Sequence, residues 1–292
     1  MIGCCISGGG AKIGFAVGVL EVMEKRGIRP DLAYGVSSGS LCTAALCYGD
    51  IGFLKERLLE IRKRSDVLDK RLFRLFLALI FGGRTDGLYG MDIMRGKLEA
   101  LPLEDPAIKG VVGYVDLRSG EIRYPSSEEL SKPEFLDCVQ ASCSIPFFMV
   151  SQRTAGEVRV DGGVRDILPL KKLIRDPLGV EEIHVIGLSP LGENPASKPI
   201  GRDVLSVVRR SVELLTDEIY ENDLKTARDV NRMLDLGVDL EGKRKIILYE
   251  YFPDEPVCGD SLDFRREVIE AGIEKGRAVA ERVLENYTPP AD

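Results

Sequence analysis

Short apolar runs alternate along this chain with longer segments in which apolar positions recur every three or four residues. The first pattern predicts buried strands, the second amphipathic helices. Residues 1–6 read as a strand and 12–26 as a helix that Gly27 stops. A strand near 31–35 and a helix near 38–48 follow, then a helical stretch over about 50–105. Further strands are expected near 110–116 and 121–124, with a helix near 133–142. The alternating run Glu157-Val158-Arg159-Val160 enters Asp161-Gly162-Gly163, and residues 182–188 read as a buried strand. A long helix near 202–236, a strand at 245–250 and a helix near 264–286 complete the pattern. This succession predicts an α/β layered fold with a largely parallel sheet. No linker divides it, so one domain over 1–287 is expected, with 288–292 a frayed tail.

Composition narrows the function classes. The 292 residues carry a formal charge of −7, and no basic patch interleaves with aromatics. General nucleic-acid binding needs a basic face, so that class is set aside. The seven cysteines lie mostly in apolar segments, form no Cys-x-x-Cys pair and have one histidine to join them. Buried reduced thiols are expected rather than a zinc site. The N-terminus has no basic leader, and nowhere do 18 consecutive apolar residues occur. A cytoplasmic protein without a signal peptide or transmembrane helix is the expectation.

Gly35-Val36-Ser37-Ser38-Gly39 has the form of a nucleophile elbow, in which a strand ends, a serine sits on a strained turn and a helix starts at once. The plainer alternative is a tight turn in which glycine and serine serve geometry alone. Upstream, Ser7-Gly8-Gly9-Gly10-Ala11-Lys12-Ile13-Gly14 joins a strand to a helix. Consecutive glycines at a helix N-terminus suit a phosphate or an oxyanion. A dinucleotide site is disfavoured, because the third glycine falls at 14 and a serine elbow follows instead of an acidic-ended strand.

A serine hydroxyl needs a base. The order Ser37, Asp161, His184 is that of α/β-hydrolases. His184, however, lies inside an apolar strand run, and the elbow comes after only two strands, too early for that fold. His184 therefore reads as structural. Asp161 is the better partner, since it ends a strand and two glycines turn the chain sharply behind it. The bland reading of Asp161-Gly162-Gly163 is a turn and nothing more.

In these three motifs and their order the chain resembles the patatin-like phospholipases. Gly8-Gly9-Gly10-Ala11-Lys12, Ser37 within 35–39, and Asp161-Gly162-Gly163 match that family's oxyanion turn, elbow and aspartate loop. Ala141-Ser142-Cys143-Ser144-Ile145-Pro146-Phe147-Phe148 is similar to another of its blocks. So are Val164-Arg165-Asp166-Ile167-Leu168-Pro169 and, near the C-terminus, Ser261-Leu262-Asp263-Phe264 with Gly276 and Ala280. One departure is Ile13, where the family usually has glycine.

The resemblance implies a three-layer α/β/α sandwich with a mainly parallel central sheet and a serine lipid acyl hydrolase without metal or organic cofactor. Ser37 would be the nucleophile and Asp161 its base, with no histidine. Gly8, Gly9, Gly10 and Ala11 would form the oxyanion hole, and Lys12, Gly35, Gly39, Gly162 and Gly163 would support it. The alternatives are a small-ester or thioester hydrolase, and a catalytically silent lipid-binding scaffold. Residues 62–84 form a basic and apolar island in this acidic chain. Its residues 70–84 are expected either to touch a membrane surface peripherally or to pack on the sheet.

Overall fold

The computed structural model describes residues 1–62, 64–70, 86–154, 156–192, 201, 204–240 and 244–288. The chain begins β1 (Ile2–Ile6), α1 (Ile13–Lys25), β2 (Leu32–Val36), α2 (Ser38–Tyr48) and α3 (Ile51–Leu59). It continues β3 (Asp69–Lys70), β4 (Gly87–Gly90), α4 (Asp92–Glu99), β5 (Lys109–Asp116), β6 (Ile122–Arg123) and α5 (Lys132–Ser142). Next come β7 (Phe147–Met149), β8 (Gln152–Arg153), β9 (Val158–Asp161) and α6 (Leu170–Ile174). The described chain ends β10 (Glu182–Ile186), α7 (Val204–Asp235), β11 (Ile247–Tyr251) and α8 (Arg266–Val283).

The central sheet has the order β11-β10-β1-β2-β5-β9-β8, with β6 also on β5. From β11 to β5 every pairing is parallel. Its central strands are buried along most of their length, which is why they read as apolar runs and not as alternations. Successive residues nevertheless divide between two cores. Cys4, Ile6, Ala33 and Val112 face a cluster built from α1, α2, α3, α5 and α8. Cys5, Leu32, Tyr34 and Val111 face a smaller cluster with α6 and α7. The molecule is thus a three-layer α/β/α sandwich, as expected.

Two features depart from the expected pattern. The stretch 50–105 is not wholly helical, because β3 and β4 join β7 in a small second sheet. Strands this short are held by pairing with distant segments, which local periodicity does not reveal. Second, β9 runs antiparallel to β5, with Asp161 paired to Tyr114. That reversal returns Asp161 to the level of Gly113, the partner of Val36 on β2.

All seven cysteines are unpaired and six are buried. Among the described residues no helix is long and apolar enough to cross a membrane. Residues 71–84 of the basic, apolar island lie outside the described residues.

Candidate active site

Strands β1, β2 and β10 run the same way, so their outgoing loops meet at one edge of the sheet, the usual place for a site in such folds. Ser7, just past β1, donates its N–H to Ile186 O at 3.0 Å and accepts the Leu188 N–H on its Oγ at 3.0 Å. The first loop is thereby stitched to the end of β10.

Ser37 follows β2 directly, at φ 53° and ψ −128°. A side chain at positive φ costs about 1–3 kcal/mol and persists only where the surroundings over-determine it. Here they do. The Ser37 N–H donates to Ser142 Oγ at 2.9 Å, and its carbonyl accepts from Ser40 N at 2.9 Å, Ser40 Oγ at 2.5 Å and Cys143 Sγ at 3.1 Å. Glycine is required at 39 by close approach, since a Cβ there would stand 2.3 Å from Ile6 O.

Asp161 ends β9 and is buried. Its N–H donates to Ser144 O at 3.0 Å, and its Oδ1 accepts the Gly163 N–H at 2.7 Å. Burial pushes the carboxyl up to about 7, against the lowering influence of the Ser37 hydroxyl and the Gly163 N–H. Both residues line the same cleft, no hydrogen bond joins their side chains among the described residues, and Oδ2 stays buried with no hydrogen-bond partner. A carboxylate so placed is poised to accept a proton near neutral pH.

The glycine turn is only partly open. Gly8 N–H is committed to Ile167 O at 3.1 Å and Ala11 N–H to Ser261 O at 2.7 Å. Gly9 and Gly10 N–H make no hydrogen bond among the described residues, and both residues line the cleft beside Ser37. Gly10 sits at φ 59°, and a Cβ on it would lie 2.2 Å from Ser261 O. Lys12 donates from Nζ to Ser189 Oγ at 2.8 Å, so it links the turn to the loop after β10 and is not a freely solvated side chain. Ile13 takes ordinary right-handed angles, φ −51° and ψ −29°, and its buried side chain enters the core. Isoleucine at this position leaves the turn intact.

Ser37 borders two cavities. One is a cleft of ≈ 320 Å³ that also reaches Asp161, Gly9, Gly10 and Lys12. The other is a smaller pocket of ≈ 80 Å³ under α2, α3 and α4, walled by Leu41, Leu54, Leu58, Met94, Leu98 and other apolar side chains. A bond broken at Ser37 would have a polar-edged space on one side and an apolar one on the other.

His184 is not among the residues that line the cleft. It is fully buried in β10, with Nδ1 hydrogen-bonded to Tyr251 Oη at 2.8 Å and Nε2 to Glu182 Oε1 at 2.8 Å. Both ring nitrogens are occupied and the ring stacks on Tyr249.

The residues that hold the site were not singled out for this role in the sequence. Ser142 and Ser144, at the end of α5, tether Ser37 and Asp161 respectively. Ser131, Pro133 and Glu134 start that helix, the Ser131 N–H donating to Glu134 Oε2 at 3.0 Å. The signal for these tethers, and for the contacts from Ile167 and Ser261 to the turn, was the likeness of 141–148, 164–169 and 261–264 to blocks of the family, which does not say what those residues touch.

Among solved structures, the chain is similar to VipD from Legionella pneumophila, with 13% sequence identity and a TM-score of 0.43. The match covers 96% of this chain, which spans 66% of that protein's length. The family model for patatin-like phospholipases matches residues 4–174, well over half of the chain and inclusive of all three motifs. On that match, the chain belongs to the patatin-like phospholipase family.

Proposed function

We propose that this protein is a serine acyl hydrolase of lipid esters working through Ser37 and Asp161. Membership of the family supports lipid acyl hydrolysis in general. The finer reading rests on one observation: a serine on a strained elbow shares a cleft with a buried carboxyl that burial pushes up to about 7.

In this reading Ser37 Oγ attacks the ester carbonyl and its proton passes to Asp161. A carboxylate is a weak base for a hydroxyl, so the transfer accompanies bond formation and does not precede it. The carbonyl oxygen, now negative, takes hydrogen bonds from the free N–H groups of Gly9 and Gly10; Gly8 and Ala11 act as braces. Each lost oxyanion donor typically costs about 3–4 kcal/mol, and a positioned base contributes ~10²–10⁴-fold. Asp161 returns the proton to the leaving alcohol, and the acyl group stays on Ser37. Water then attacks the acyl-enzyme, again with Asp161 as base, and frees the acid.

The apolar pocket suits the acyl chain and the wider cleft suits the alcohol portion. The small size of that pocket, ≈ 80 Å³, favours a second reading in which short acyl esters are the better substrates. Product analysis on a panel of phospholipids, neutral lipids and short esters, with Ser37→Ala as control, separates the two. Fatty acid released from long-chain lipids supports the first reading, and turnover confined to short esters supports the second. Turnover that survives in Ser37→Ala contradicts both.

A further inference from the structure

The rim of the cleft beside Ser37 carries a feature that hydrolysis alone does not need. Phe147 is 63% exposed, although it is a large aromatic flanked by Phe148 and Met149, which are buried. It also has φ 70°, a left-handed backbone that bulky residues rarely adopt. The turn is fixed by its neighbours: Ile145 O accepts from Phe148 N at 3.2 Å and from Met149 N at 2.8 Å. Pairing of Phe147 with Gly87 on β4 holds the strand that follows. The fold therefore spends backbone strain to lift one ring out of its core and set it at the cleft mouth.

Val164, on the loop after Asp161, is 49% exposed and borders the same cleft. Its neighbour Arg165 is exposed, and the Arg165 guanidinium makes no ion pair among the described residues. An exposed aromatic and an exposed aliphatic at one opening, with an exposed cation next in the chain, form the pattern of a surface that meets the boundary between phosphate head groups and acyl chains.

We propose that Phe147 and Val164 dock the cleft mouth onto a phospholipid membrane surface, with Arg165 against the lipid phosphates, so that an ester passes to Ser37 without crossing water. This rests on the reading of the protein as a lipid hydrolase. It places the docking surface on described residues at the cleft mouth.

The chain contains no tryptophan, so Phe147→Trp introduces a single reporter at the rim. With vesicles of phosphatidylcholine, alone or mixed with phosphatidylglycerol, its emission is expected to shift to the blue and to be quenched by brominated acyl chains. Phe147→Ser and Val164→Ser together should lower vesicle partitioning about ten- to a hundredfold, at an unchanged melting temperature. Arg165→Gln should reduce partitioning most on the vesicles that contain phosphatidylglycerol. Co-sedimentation with vesicles without any emission shift would overturn the proposal, because another surface would then be docking. Failure to bind vesicles at all would overturn it too. Hydrolysis of a soluble short ester is followed on the same protein: a blue shift without hydrolysis would unseat the hydrolase reading and leave the docking surface standing.

Discussion

Ser142 Oγ accepts the N–H of Ser37 at 2.9 Å and donates its own proton to Gly113 O at 2.6 Å. One buried hydroxyl thus ties the elbow to the neighbouring strand β5. Two residues later, Ser144 O accepts the Asp161 N–H at 3.0 Å, so the end of a single helix tethers both residues.

Ser142→Ala should leave the Ser37 N–H and the Gly113 carbonyl buried without their partner. The expected loss is about 1–3 kcal/mol of stability, measured by denaturant unfolding. Because the elbow is freed to relax, kcat should fall at least ~10-fold with little change in KM. A variant with lowered stability and an unaltered kcat would show that the tether serves folding alone.

The carboxyl of Asp161 is raised to about 7, so kcat/KM for a soluble ester should rise with pH along a limb centred near 7 and level off above it. Stability moves the opposite way. The folded protein holds this proton to higher pH than the unfolded chain, so the contribution falls as pH rises from about 4 to about 7 and stays low beyond. Asp161→Asn removes the burden of a buried charge. Its stability should match the parent near pH 4 and exceed it by ~2–4 kcal/mol above pH 7, although activity is lost. Thermal melts at the two pH values check the sign.

Much of this arrangement was legible in the sequence because it is local. Gly35 to Gly39 encode the elbow in five consecutive residues, and the apolar runs at 1–6, 31–35 and 182–188 mark strands buried on both faces. Where the arrangement depends on distant partners, the sequence was silent. β7 is three residues long and exists by pairing with β4, far away in the chain. In the sequence Gly8 and Ala11 are equivalent to Gly9 and Gly10 as donors; in the fold Ile167 O and Ser261 O occupy the N–H groups of the first two.

Gly10→Ala tests the turn. The added Cβ would meet Ser261 O at 2.2 Å in a backbone region that alanine disfavours, so the turn must shift. The expected result is a fall in kcat of ~10²–10³ with a modest change in KM, as for the loss of an oxyanion donor. Full activity would remove this turn from the mechanism.

His184→Ala should separate structure from chemistry. The ring is buried between Tyr251 and Glu182, so its loss leaves two polar groups without their partner and costs roughly 2–4 kcal/mol. Per folded molecule, ester hydrolysis should stay within about threefold of the parent, a loss well below the ~10²–10⁴ expected for a general base. A fall as deep as that of Ser37→Ala would restore a histidine to the mechanism.

The central claim is that Ser37 is a nucleophile activated by Asp161. Labelling with a fluorophosphonate probe, read by mass spectrometry of the modified peptide, tests it most directly. The account predicts one adduct on Ser37 in the parent protein, none in Ser37→Ala, and labelling slowed by at least ~10²-fold in Asp161→Asn. An adduct on another residue, or labelling of Ser37 at the parent rate without the Asp161 carboxyl, would contradict it.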